Sequence, residues 1–232
     1  MSLTPMLKQY SSMRSTLDRD AVMFFRMGDF YEMFYEDARR ASAILDITLT
    51  ARDGGSGTKV PMCGVPFHSA QSYINRLTRA GIKVAICEQV EDPRTAKGIV
   101  KREIVRFITP STNLEDEPET PASYNYIAAV YRIKKLWGLA GIDLSTGDFL
   151  VGEYEELDEM QDELIRLCPK ECVLPENFDT QILKTFFTAV KSAVNKYDTW
   201  VFDLEDAKKR IIRQFEVSSV AGFGMEAVSY TH

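Results

Sequence analysis

The run Arg26–Asp37, R-M-G-D-F-Y-E-M-F-Y-E-D, packs four aromatic rings and four carboxylates into one short stretch. Two readings of it stand open. Asp29 followed three residues later by Glu32 fits an N-terminal capping arrangement, with acids near the positive end of a helix. Phe30 is then an ordinary first-turn aromatic. The second reading starts from angles. Tyr31, Phe34, Tyr35, Ala38, Ser42 and Leu45 recur at helical spacing and mark the inward stripe of a helix expected over Phe30–Leu45. At about 100° per residue, Phe30 lies about 100° and Met33 about 160° from the centre of that stripe. Large apolar side chains turned away from the buried face point to contact with a partner.

Other constellations carry less chemistry. Asp143 in an apolar strand and Asp148 after a turn could begin a two-metal nuclease site. Such a site needs several converging carboxylates, and no further acid is clearly placed to join them. Cys168 and Cys172 suggest half of a zinc site, but no second pair follows and the histidines are His68 and His232 alone. Gly54-Gly55-Ser56-Gly57-Thr58-Lys59 superficially resembles a phosphate cradle, yet the chain has no Gly-Lys pair and no convincing helix after this segment.

The elements around these residues alternate in type. Thr4-Pro5 opens a helix, with Thr4 as cap, Pro5 at the first position, and Met6, Tyr10 and Met13 on its apolar side. Ala21–Met27 reads as a buried strand broken by Gly28-Asp29, and Ile47–Thr50 as another. Arg52–Thr58 is a flexible glycine-rich turn. Ser69 caps a helix running to Ala80 and stopped by Gly81. Lys83–Gln89 and Val100–Thr109 are strands around the polar loop Glu91–Gly98. Leu114–Ser123, with four acids and two prolines, is a linker. Tyr126–Ile133, Leu136–Leu144 and Phe149–Tyr154 then form an antiparallel meander on short turns. A helix over Leu157–Leu167, a strand Glu171–Leu174 and a more helical remainder follow. Ala227–His232 offers no packed final element, and the chain is expected to end where its parent does not. The fold class is α/β in two domains: residues 1–113, the linker 114–123, and residues 124–232.

Net charge is −6 over 232 residues, but it is uneven. Residues 1–113 hold 16 Lys/Arg against 12 Asp/Glu, and residues 114–232 hold 12 against 22. Any contact with phosphates therefore belongs to the first half. No run of about 20 apolar residues suggests a membrane span. The start lacks a secretory pattern, and the four cysteines form no disulfide framework, so a cytoplasmic location is expected.

Gly28-Asp29-Phe30-Tyr31-Glu32, running on through Met33 to Ser42, resembles the MutS family of DNA mismatch repair proteins. So do Pro61-Met62-Cys63-Gly64-Val65-Pro66-Phe67-His68, Val84–Gln89, Lys101-Arg102-Glu103, Thr109-Pro110 and Gly141–Gly147, in that order. The resemblance implies an N-terminal mixed-sheet α/β mismatch-recognition domain and a ribonuclease H-like connector domain. It implies that Phe30 wedges against a mispaired base from the minor groove and that Glu32 hydrogen-bonds that base. Arg52, His68, Lys101 and Arg102 lie in neighbourhoods that match DNA-facing parts of the family domain and are the expected phosphate contacts, and Met27, next to the wedge, is expected to touch the groove. It further implies mismatched double-stranded DNA and MutL as partners, and a homodimer in the full-length family. ATP and Mg belong to family segments outside this stretch, so no catalysis, metal or cofactor is expected of these residues.

Overall fold

The computed structural model describes residues 3–55, 57–91, 98–113 and 125–223. The expected linker Leu114–Ser123, most of the loop Glu91–Gly98 and the final Ala227–His232 lie outside the described residues. Two compact units emerge, Met1–Asn125 with Asp143–Gly147, and Tyr126–Ile142 with Asp148–His232. The two-domain α/β expectation holds, with a mixed sheet in each unit.

In the first unit, helix α1 (Pro5–Arg14) starts as its residues dictate. The Thr4 side chain accepts from the Leu7 N–H at 3.4 Å, and Pro5 occupies the first turn. Strands β1 (Val22–Met27) and β2 (Phe30–Phe34) form a hairpin around Gly28-Asp29. Helix α2 (Tyr35–Leu45), strands β3 (Thr50–Asp53) and β4 (Lys59–Pro66), helix α3 (Ala70–Arg79), and strands β5 (Val84–Gln89) and β6 (Arg102–Ile108) follow. The sheet order is β3-β4-β2-β1-β5-β6, with β1 and β5 parallel and the other pairs antiparallel.

Strand periodicity sorts β1 cleanly. Val22 and Phe24 join Tyr31 and Met33 in a core with α2 and α3. Met23 and Phe25 join Phe34, Val60 and Cys87 in a second core under Leu7 and Tyr10 of α1. Helices thus cover both faces, which is why β1 reads as one continuous apolar run. Buried Asp37 ties the layers together. It accepts from Tyr10 Oη at 2.9 Å, Arg14 Nε at 2.9 Å and the Met23 N–H at 3.1 Å.

Three expectations need correction. The helix expected over Phe30–Leu45 is two elements, a strand and then α2. Chain direction changes at Tyr35, which sits at φ 54° in the left-handed region. Asp29 and Glu32 therefore cap nothing, and Met33, which helical angles turned outward, is fully buried. The strand expected at Ile47–Thr50 lies further on, at Thr50–Asp53, so Arg52 belongs to β3 and not to a flexible turn. The glycine segment beyond it is a hairpin connection whose amides are used internally: Gly54 N–H donates to Thr58 O at 2.7 Å and Gly55 N–H to Asp53 Oδ1 at 2.9 Å. Ser69 precedes α3, but its hydroxyl bonds to Pro66 O instead of capping.

The second unit contains β7 (Tyr126–Ile133), β8 (Leu136–Asp143), β9 (Asp148–Tyr154), α4 (Leu157–Leu167), β10 (Glu171–Pro175), α5 (Lys184–Ala189), β11 (Ala193–Tyr197) and α6 (Leu204–Phe215). Its sheet order is β11-β10-β7-β8-β9, with β10 parallel to both β7 and β11. The meander and α4 match the sequence reading, whereas β11 was expected to be helical. Among the described residues, no helix is long and apolar enough to cross a membrane.

Candidate nucleic-acid interface

The hairpin turn sets the geometry of the site. Gly28 takes φ 58° at the first turn position, which suits a two-residue hairpin and an achiral residue. Met27 then pairs with Phe30 across the hairpin, and Phe30 pairs with Pro66 on its other side. Residues directly opposite in a sheet share a face, and so do residues two apart along a strand. Phe30, Glu32 and Met27 therefore project from the α1 face of the sheet, near the end of the hairpin. Phe30 is 48% exposed, although its strand neighbours Tyr31 and Met33 are buried.

Glu32 stands opposite Gly64, where a Cβ would meet Tyr31 O at 3.3 Å and Glu32 Cγ at 3.6 Å. A side chain there would crowd the carboxylate's own stem. Glu32 Oε2 pairs with Arg52 Nη1 at 2.9 Å. Burial lifts the Glu32 carboxyl above its ordinary value, while the charges of Arg52 and Arg102 pull it back down.

Arg102 is placed otherwise than expected. It is 8% exposed, and its guanidinium is engaged inside the protein. It bonds to Arg26 O at 2.7 Å, Gln9 Oε1 at 3.0 Å and Val100 O at 3.0 Å, and lies 3.4 Å from Met27 Sδ. It also sits over the Phe25 ring at 4.8 Å. These contacts make it a support beneath Met27 rather than a group free to reach a phosphate. Lys101 is exposed and pairs with Glu103 at 2.6 Å. His68 is exposed on the short helical turn Phe67–Ser69 that leads into α3. The structure thus gathers Phe30, Glu32, Met27 and Arg52 on one face, with Arg102 behind them.

A second cluster, on the opposite face, went unnoticed in the sequence. Arg26 pairs with Tyr31 in register, and its Cζ lies 3.6 Å from the centroid of the Phe67 ring. Its Nε donates to Gly28 O at 2.6 Å, and the Phe67 N–H donates to Asp29 O at 2.8 Å. The Tyr31 hydroxyl donates to Glu88; burial first, then that carboxylate, pushes the phenol up to about 12. An arginine two residues before a hairpin glycine and an aromatic after Pro66 were the available signals.

The carboxylates at the two sides of the β8–β9 turn are occupied by structure. Asp143 accepts from the Ser145 N–H at 2.8 Å, Ser145 Oγ at 2.6 Å and the Asn125 N–H at 2.8 Å. Burial works against its charge, but these bonds win and hold its carboxyl below the ordinary value. Asp148 accepts from the Tyr126 hydroxyl. Each carboxylate therefore holds its own strand end.

Comparison with known proteins assigns both units. The family model for MutS domain I matches residues 4–117, and that for MutS domain II matches residues 125–231. A DNA mismatch repair protein MutS from Syntrophomonas wolfei is 44% identical over 231 residues, covering 97% of this chain and 27% of that protein. One from Desulfitobacterium hafniense is 55% identical over 172 residues, covering 74% of this chain and 20% of that protein. One from Bacillus licheniformis is 51% identical over 176 residues, 76% of this chain and 20% of that protein. The chain spans about a quarter of the length of relatives it matches almost throughout. With its two units matched in order by the two domain models, the chain belongs to the MutS family, carrying domains I and II.

Proposed function

We propose that the first unit reads mismatched double-stranded DNA, with Phe30 as the wedge entering from the minor groove and Glu32 as the acceptor for the displaced base. The observation that carries this reading is an aromatic ring held outward at a hairpin tip, on the same strand face as a carboxylate. Two residues along a strand span about 6.8 Å. That matches roughly two stacking steps of about 3.4 Å in duplex DNA. On a helix the same two positions would diverge by about 200° and could not address one groove.

The energetics favour damaged sites. Separating stacked bases costs a few kcal/mol per step. A mispaired step is already deformable, so the same insertion meets less resistance there. Glu32 adds a penalty against intact duplex, because a carboxylate near phosphates is unfavourable unless a base offers it a hydrogen bond. Met27 lines the groove beside the wedge, and Arg52, His68 and Lys101 serve as phosphate contacts that set position without reading sequence.

The second unit acts as the connector and meets protein partners, MutL among them. That role is supported by its acidic balance and by the exposed Trp200, Leu204 and Phe215. In the full-length protein we assign homodimer formation and ATP and Mg use to segments beyond these two domains, at a cytoplasmic site of action.

The test is Phe30→Ala in the full-length protein, with binding measured on mismatched and perfect duplexes. The expected result is loss of mismatch preference by at least about tenfold, with perfect-duplex binding retained. An unchanged preference rejects the assignment.

A further inference from the structure

We propose that Arg26 is a positioning residue for mismatch discrimination, a brace that locks the wedge-bearing hairpin from behind. The proposal rests on the reading of Phe30 given above and extends it to a residue that touches no DNA. Arg26 lies on the face away from Phe30, because its register partner Tyr31 points opposite to its neighbour Phe30. Only 16% of its side chain is exposed, so it is not held out toward a phosphate.

Its contacts converge on the turn that aims the wedge. Nε holds the Gly28 carbonyl at 2.6 Å, inside the turn itself. The guanidinium plane lies on Phe67 at 3.6 Å and over Tyr31 at 5.5 Å. Phe67 in turn grips the other turn residue, its N–H donating to Asp29 O at 2.8 Å. Glu88 closes the cluster, taking the Tyr31 hydroxyl and lying 3.9 Å from Arg26 Nη1. One planar cation thus joins β1, the turn, β2, the β4–α3 junction and β5. A ring that must pry bases apart is pushed back by them, and a turn free to tilt would yield. Productive geometry has to be held within about half an ångström by supporting side chains.

Lysine cannot replace this brace. Its ammonium is a point charge without a face to stack or a fixed fork to reach the carbonyl. Arg26→Lys in the full-length protein is therefore expected to lower the ratio of mismatched to perfect-duplex affinity by about tenfold. Perfect-duplex binding should stay within about twofold, because phosphate contacts are untouched. Phe67→Leu, which keeps apolar bulk but removes the ring face, should reproduce the loss, and the double variant should be little worse than either alone. Phe30→Ala is run beside them, and thermal melting reports on folding.

A wild-type ratio in Arg26→Lys overturns the brace, as does equal weakening on both duplexes, which would mark a structural or phosphate role. If Arg26→Lys fails to fold, Phe67→Leu decides by the same ratio. The two levels separate cleanly. Phe30→Ala keeping its preference defeats the wedge reading and the brace together. Phe30→Ala losing it while Arg26→Lys and Phe67→Leu keep it defeats the brace alone.

Discussion

Glu32 is a carboxylate kept at some expense to the fold. Burial raises its pKa, and the Arg52 ion pair at 2.9 Å only partly offsets that. A raised folded value has a definite sign. As pH climbs, the unfolded chain gives up this proton first, so ionising Glu32 opposes folding above its folded pKa and costs nothing well below the ordinary value of 4.5. Glu32→Gln should thus be more stable than wild type at neutral pH, by about 0.5 kcal/mol for a partly exposed pair. The gain should fade as the medium is acidified through the folded pKa. Thermal melts of both proteins across pH 4–8 check this, and a gain that grows on acidification would contradict it. The residue types here were legible only in part: helical angles turned Phe30 outward on what is a strand, and its grouping with Glu32 came from the family resemblance. Arg102 was misjudged because a cation next to Lys101 reads as surface, while its burial is set by Gln9, Phe25 and Met27, distant in sequence.

The hairpin formed by β1 and β2 is the element on which the site depends. Sequence periodicity hid it, because Tyr31, Phe34 and Ala38 happen to keep helical spacing across a strand and a helix joined without a gap. The strand signal was present in the aromatic run Phe30–Phe34, but one apolar stripe extended over both. Strand β4 was hidden for a different reason: Pro61, Gly64 and Pro66 argue against a strand from local propensity. Tertiary pairing on both sides overrode that preference. Gly28 tests the hairpin directly. Nothing lies within 4 Å of a Cβ added there, so Gly28→Ala meets no clash and suffers only from φ 58°. The expected loss is about 1–2 kcal/mol, the cost of a left-handed conformation for an L-residue. Urea denaturation of the variant measures it. No loss would mean that the turn relaxes freely, contrary to a hairpin held at both turn residues.

Across the whole molecule, charge is divided between the two halves of the chain. The basic surplus lies in residues 1–113 and the acidic one beyond. Phosphate contact should then be modest per residue and read most directly from salt. Lys101→Ala is expected to weaken mismatched and perfect duplex alike, and to reduce the slope of log affinity against log salt by about one. An unchanged slope would take Lys101 out of the interface. Composition and resemblance were enough to foresee two α/β units, because a proline-rich acidic segment separates two differently charged halves. The strand at Ala193–Tyr197 was not foreseen, since its place in the sheet comes from pairing with β10 rather than from its own pattern. Strand β2 lies inside the first sheet, hydrogen-bonded to β4 and β1 at once. A probe mounted on such a strand is an anvil rather than a spring. In any encounter with a duplex the softer body bends, so recognition through the proposed wedge becomes a stiffness measurement in which the protein supplies the fixed reference.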